Sequence, residues 1–194
     1  PNAVGIERVN SFGLQSAEFD INIGCDIAAF EAEIPAIVQS CQTTGVEVGA
    51  IGRWGSDRVS QKGVIEEEFQ NECRLIDGAA KLGAKVYIGG CNAVEGNSLY
   101  QNAALAIEYM GRLIDYARPK GVKVCTYNCH WNTFLDSDPA WSLVHGQLPE
   151  LGIKFDPSHS FYAGRDYLGE MVQWGDRFYH FHVKGALKVN GQGG

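Results

Sequence analysis

The stretch at 152–185, GIKFDPSHSFYAGRDYLGEMVQWGDRFYHFHVKG, determines the fold that the sequence predicts. A short apolar run, IKF, leads directly into DPSH at 156–159, and a second run, FYHFHVK, occupies 178–184. Between the two runs, apolar residues at spacings of three and four predict a helix over 165–174. Strand, helix and strand within about thirty residues form a βαβ unit, so the two strands should be parallel neighbours.

The two strands of this unit both end in residues that can bind a metal. In parallel α/β folds, functional residues gather at the carboxyl ends of the strands. Asp156 and His182 occupy such ends, and a carboxylate together with an imidazole favours a divalent metal site. The alternative is that Asp-Pro-Ser-His is only a turn, in which the aspartate accepts hydrogen bonds from the local backbone.

The same order of elements recurs along the chain, since a glycine repeatedly separates the end of a helix from a short strand. The spacings between these glycines are 32, 38, 38 and 31 residues, measured between Gly13, Gly45, Gly83, Gly121 and Gly152. A period of this length indicates repeated βα units. An open doubly wound sheet has no support from a glycine-rich phosphate loop after the first strand. We therefore predict an α/β fold, a (β/α)8 TIM barrel.

The chain is expected to be a single domain over 1–194 that covers about six βα units, with one further strand before Pro1 and another after Gly194. The predicted strands lie near 14–19, 46–51, 85–90, 122–129, 153–156 and 178–184. Four further helices are predicted at 27–44, 63–82, 99–118 and, more weakly, 139–148. Ser98 and Asp138 are predicted to cap the last two of these helices.

Charged residues follow two positions after several of the glycines, at Glu47, Lys85, Lys123 and Lys154. Strand residues alternate between faces, so Lys154 should share the inward face of Asp156. Two interpretations stay open at this point. The four charges form one layer at the bottom mouth of the barrel, with Glu47 as a partner of the lysines, or they are solvated strand starts.

Composition excludes several classes of partner. The net charge is −7 and no block of Lys or Arg occurs, which argues against nucleic acid as a partner. No apolar run reaches eighteen residues, so no membrane partner is expected. The six cysteines form no CxxC pair, which is typical of free thiols in a reducing compartment. We predict a cytoplasmic protein.

The motifs DPSH and WGDRFYHFHVKG resemble the sugar-phosphate isomerase/epimerase family of xylose isomerase-like TIM barrels. The resemblance implies a divalent metal, Mn²⁺ first with Zn²⁺ or Mg²⁺ as alternatives, held by Asp156 and His182. It also implies that His159 contacts the sugar. Two departures stand out: Tyr127 occupies the position of a family glutamate on strand five, and the sequence stops before the strand that carries the fourth family ligand.

The predicted function is that of a metal-dependent isomerase or epimerase, which acts on a keto- or aldo-sugar through an enediolate-type intermediate. A small-molecule sugar is the expected partner, and a homo-oligomer is possible. His159 is the predicted base and Lys184 assists it. The predicted substrate-binding residues are Arg53, Trp54, Tyr127, Asn128, His130 and Trp131.

Three other functions stay open on the sequence. The first is a keto-sugar lyase with one base and a metal, which would need fewer carboxylates than epimerisation. The second is a degenerate barrel that binds a sugar or polyol without turnover, which Tyr127 favours. The third, an apurinic-site endonuclease, needs more metal ligands and a basic groove than the net charge of −7 allows.

Overall fold

The computed structural model describes residues 1–129, 131–189 and 192–193. The strands are β1 (Ser16–Asp20), β2 (Glu47–Gly52), β3 (Val59–Ser60), β4 (Gly63–Val64), β5 (Val86–Gly89), β6 (Lys123–Tyr127), β7 (Gly152–Phe155), β8 (Phe178–Phe181), β9 (Lys188–Val189) and β10 (Gln192–Gly193). The α-helices are α1 (Ala3–Ser11), α2 (Ile27–Thr44), α3 (Glu66–Leu82), α4 (Leu99–Ala117), α5 (Ala140–His145), α6 (Pro157–Tyr162) and α7 (Tyr167–Trp174). Short 3-10 helices cover Arg118–Lys120 and Gly175–Arg177.

Six of the strands form one parallel sheet in the order β1-β2-β5-β6-β7-β8. Each neighbour in this order is also the next strand of the sheet along the chain, and helices connect them, as in a barrel. The sheet curls into a half-barrel, and the predicted α/β fold with about six βα units is confirmed. The short strands β3 with β4 and β9 with β10 form two separate antiparallel pairs that the sequence did not predict.

Apolar packing occurs on both faces of the sheet. The main core lies between the sheet and the helices, and it includes Ile51, Tyr87 and Val124 from the strands. A smaller cluster with Ala50 and Ile88 lines the inner face. Because alternate residues of a strand point to opposite faces, each strand supplies both layers.

Helix ends follow local sequence signals in most cases. Ser98 caps α4 in a capping box with Gln101, as predicted. The cap predicted at Asp138 is wrong: Pro139 is the N-cap residue of α5 and has no side-chain cap, while the Asp138 carboxylate accepts hydrogen bonds from Ser142 one turn later. The sequence also missed α6, which begins immediately after Asp156.

The charged layer proposed from the glycine spacing does not exist as one layer. Glu47, Lys85 and Lys123 are exposed at the strand starts, and no ion pair joins them among the described residues. Lys154 is only 3% exposed, and its register partner is Tyr127 rather than Lys123. The glycines differ in role, because Gly45, Gly83 and Gly121 adopt a positive φ after helices, whereas Gly152 lies inside β7.

No helix among the described residues is long and apolar enough to cross a membrane. All six cysteines are free, as predicted, and four of them are buried.

Candidate functional site

Charged side chains from three strands meet on the inner face of the half-barrel, at the carboxyl ends of the strands. Pairs of residues two apart project there together because strand residues alternate faces. The strand-end cluster, as we name it, consists of Glu18, Lys154, Asp156, His159, His180, His182 and Lys184.

Asp156 is the most buried carboxylate of this cluster, with 1% of its side chain exposed. Asp156 is the N-cap residue of α6, and its Oδ1 accepts hydrogen bonds from the backbone N–H and the hydroxyl of Ser158. Its Oδ2 lies 3.2 Å from Lys184 Nζ and 3.8 Å from Lys154 Nζ. Burial alone would raise the pKa of Asp156, but these hydrogen bonds and charges outweigh burial and hold its pKa below the usual value.

For Lys154, burial outweighs the neighbouring charges. Burial removes its ammonium group from water and lowers its pKa, although the negative charges of Asp156 and Glu18 oppose the shift. Asp156 therefore stays ionised, while burial makes the positive charge of its neighbour Lys154 less stable.

Asn128 fixes the backbone of Asp156. Its side-chain Nδ2 donates to the Asp156 carbonyl and its Oδ1 accepts from the Asp156 N–H, both at 2.9 Å. The side-chain amide of Asn128 therefore extends the hydrogen bonding between β6 and β7 beyond their last paired residues. A further contact joins Asn128 Nδ2 to Ser160 Oγ, which is buried in α6. Asn128 therefore orients the residue that the sequence predicts to be a metal ligand.

Glu18 connects the two edge strands of the sheet. Its Oε2 lies 2.6 Å from His180 Nε2 and 2.8 Å from His182 Nε2, although β1 and β8 are the outermost strands of the order. Burial raises the pKa of Glu18, but the hydrogen bonds and positive charges of the two imidazoles prevail and hold it well below the usual value. Burial and the adjacent Glu18 charge raise the pKa of Asp20 to about 6.

His159 and Lys184 flank Asp156 from two sides. His159 Nε2 lies 3.6 Å from Asp156 Oδ2, and half of the Lys184 side chain is exposed. His159 lines one small cavity together with Asn128, and Lys184 lines another beside Ser158. Both predicted catalytic residues are therefore in the same cluster as the predicted metal ligands.

The predicted aromatic residues are close to one another. Trp54 and Tyr127 stack with their ring centroids 5.6 Å apart on the inner face of the sheet. The Tyr127 hydroxyl donates to the Trp131 carbonyl at 2.9 Å. Both stacked rings are buried, whereas 52% of Trp131 is exposed. Burial raises the pKa of Tyr127 to about 12, so Tyr127 stays neutral and cannot replace an ionised glutamate at neutral pH.

Arg53 does not reach the strand-end cluster. It precedes Trp54 and points to the other face, where its guanidinium pairs with Glu68 and donates to the Ile21 carbonyl. Substrate binding by Arg53 stays a prediction that this geometry does not support. The predicted role of His130 lies outside the described residues.

The sequence did not assign Glu18 and His180 to the site. His180 had a usable signal, because it lies two residues before His182 and so shares its face. The sequence around Glu18 contains no such signal, because only the curvature of the whole sheet brings β1 close to β8.

The chemistry of these donors fits a divalent ion. Asp156 Oδ2 and His182 Nδ1 are 3.9 Å apart, a separation that one ion with ligands at about 2.0–2.2 Å can span. Asp156 is ionised, and the ammonium group nearest to it belongs to the half-exposed Lys184, which can move aside. Asp156 and His182 would hold the ion.

A family model described as "Xylose isomerase-like TIM barrel" matches residues 6–194. Among solved structures, D-psicose 3-epimerase in the presence of D-fructose aligns at a TM-score of 0.79 and 16% identity, over 97% of this chain and 71% of that one. The 3-keto-D-glucoside 4-epimerase YcjR from E. coli aligns at 0.73 and 16%, over 94% and 73%.

A xylose isomerase-like TIM barrel protein from Mycobacterium smegmatis in complex with magnesium aligns at a TM-score of 0.75 and 17% identity, over 98% of this chain and 70% of that one. Identities this low establish the fold and not the reaction. No curated protein sequence matches the chain.

Proposed function

The chain belongs to the xylose isomerase-like TIM-barrel family, and on that premise we propose that it is a metal-dependent sugar isomerase or epimerase. The reaction moves a proton at a carbon next to a carbonyl of a keto- or aldo-sugar, through an enediolate-type intermediate. Two structural neighbours are named as epimerases, one of D-psicose and one of a keto-glucoside. That naming supports the class of substrate.

One observation carries the proposal: a buried, ionised carboxylate at a strand end has an imidazole on each side of it. Asp156 Oδ2 lies 3.6 Å from His159 Nε2 and 3.9 Å from His182 Nδ1. A divalent ion held by Asp156 and His182, with Mn²⁺ expected first, would polarise the substrate carbonyl as a Lewis acid.

His159 acts as the general base. It lies in the first turn of α6, so the capped start of that helix fixes its position relative to Asp156. A proton next to a polarised carbonyl is acidic enough for an imidazole to remove, and a base in this role contributes about 10²–10⁴-fold to the rate.

Lys184 holds or protonates a substrate oxygen. Its half-exposed ammonium group reaches Asp156 Oδ2 from the solvent side, where a sugar would enter. Asn128 keeps Asp156 in place through the backbone of that residue. The exposed ring of Trp131 offers an apolar surface for one face of the sugar.

The test is conversion of a panel of ketoses and aldoses by the Mn²⁺-loaded chain, followed by proton NMR. We expect a new sugar signal with the wild-type chain, and a loss of at least about 10²-fold in rate for His159→Gln. Asp156→Asn should lose both turnover and Mn²⁺ retention with the fold intact.

Asp176→Asn is the matched control, because Asp176 is an exposed aspartate on the 3-10 helix just before β8, at the end of that strand opposite to the cluster. It should keep full activity. Turnover that survives unchanged in Asp156→Asn, or a loaded wild-type chain that converts no sugar of the panel, would contradict the proposal.

A further inference from the structure

Glu18, His180 and His182 bring three potential metal-binding atoms to one point, on the side of His182 that faces away from Asp156. A carboxylate oxygen of Glu18 and one ring nitrogen of each histidine all lie within 4.8 Å of one another. The histidine rings are 5.3 Å apart between centroids and are inclined at 71° to each other. Both imidazoles therefore aim one nitrogen at the same oxygen.

We propose that Glu18, His180 and His182 form a binding site for a divalent transition-metal ion, with Zn²⁺ or Co²⁺ as the fitting type. One carboxylate with two imidazoles is a borderline donor set that suits these ions better than Ca²⁺ or Mg²⁺, which prefer oxygen ligands. The site uses His182 Nε2, whereas the pair with Asp156 uses His182 Nδ1. A neutral imidazole has only one nitrogen with a free lone pair, so His182 binds one ion at a time and the two ions exclude each other.

The geometry requires little rearrangement. A tetrahedral ion about 2.0–2.1 Å from each ligand needs its ligand atoms about 3.3 Å apart. The two contacts of Glu18 are now 2.6 and 2.8 Å long, so the side chains need to separate by roughly half an ångström. The three side chains are 18%, 23% and 36% exposed, which leaves a path for the ion and an open coordination position.

Two carboxylates adjoin the two imidazoles, and the ammonium group of Lys154 opposes part of their negative charge. Asp20 lies two residues after Glu18 on the same face, and its carboxyl group is in hydrogen-bonding contact with that of Glu18. Both imidazoles bind the ion in their neutral form, so the negative charge offered to a divalent ion comes from the carboxylates. This site does not depend on the proposed function, since it would bind Zn²⁺ in a chain that turns over no sugar.

The experiment is a titration of the chelator-treated chain with Co²⁺, read by visible absorption, and with Zn²⁺, read by calorimetry. We expect the wild-type chain to bind one equivalent of ion, and this binding should depend on Glu18 and His180. Glu18→Gln and His180→Asn should each weaken binding by at least about 10-fold. Asp156→Asn is the matched control and should change the affinity for Zn²⁺ by less than about threefold, because it removes no donor of this site.

Three results would overturn the site: no stoichiometric binding by the wild-type chain, full affinity in both Glu18→Gln and His180→Asn, or loss of binding in Asp156→Asn alone. If the variants do not fold, the wild-type chain is sufficient for the test. One equivalent of Zn²⁺ must then shift the imidazole NMR signals of His180 and His182, and unshifted signals refute the proposal.

Discussion

His145 should make the stability of the protein depend on pH, chiefly because its imidazole is buried. The imidazole is fully buried in α5, with Nδ1 3.1 Å from the Leu151 carbonyl and Nε2 3.1 Å from Thr126 Oγ1. Burial lowers its pKa from 6.5 to about 4, chiefly because the charged ring would lose its hydration. The neutral ring donates from Nδ1 and accepts at Nε2.

The direction and size of the effect follow from this shift. Well above pH 6.5 the ring is neutral in both the folded and the unfolded state, and stability is complete. As the pH falls, the unfolded chain binds a proton that the folded chain refuses until about pH 4, so stability is lost across this window. The full loss is about 3 kcal/mol, of which about 2 kcal/mol falls between about pH 7.5 and about pH 5.

The assay is urea unfolding of the wild-type chain and of His145→Gln at both pH values. The free energy of unfolding of the wild-type chain should fall by about 2 kcal/mol more than that of the variant, whatever the variant costs at neutral pH. Thr126→Val keeps the ring buried and should keep the pH dependence. An equal fall in wild type and His145→Gln would refute the burial of a neutral ring.

Three further predictions concern stability and can be read from unfolding curves. Glu72→Gln should cost about 3–5 kcal/mol, because it leaves the fully buried Arg58 guanidinium without its charge partner; a cost below about 1 kcal/mol would contradict the pair. The free energy of unfolding of Glu47→Ala in urea should stay within about 0.5 kcal/mol of wild type, because Glu47 is exposed; a larger loss would support the charged layer instead. Gly152→Ala should lower the melting temperature, because a Cβ there would lie 2.1 Å from the Tyr179 ring, and an unchanged melting temperature would place that ring elsewhere.

The sequence predicted the order of strands and helices because its signals are local. Apolar runs and glycines after helices fix where each βα unit begins, and the parallel βαβ rule then fixes the order of neighbours. The same rule predicted that Asp156 and His182 lie close together, and Asp156 Oδ2 is 3.9 Å from His182 Nδ1. Lys154 was misplaced because Gly152 resembles the other glycines in sequence but is itself the first residue of its strand, whereas β2 and β6 begin two residues after Gly45 and Gly121.

Glu18 could not be found from the sequence because its contacts are 162 and 164 residues away. They depend on how far the whole sheet curls, and no local pattern encodes that curvature. Arg53 illustrates a different limit. The sequence predicted both Arg53 and Trp54 as substrate-binding residues, and only the structure shows that the Arg53 guanidinium pairs with Glu68.

The most direct measurement of the proposed proton transfer is deuterium uptake by a sugar substrate in D₂O, followed by proton NMR. The Mn²⁺-loaded wild-type chain should exchange the hydrogen at a carbon next to the carbonyl, and His159→Gln should slow that exchange by at least about 10²-fold. Conversion of the sugar without any deuterium at that carbon would contradict proton removal by His159, and with it the enediolate-type reaction proposed for this chain.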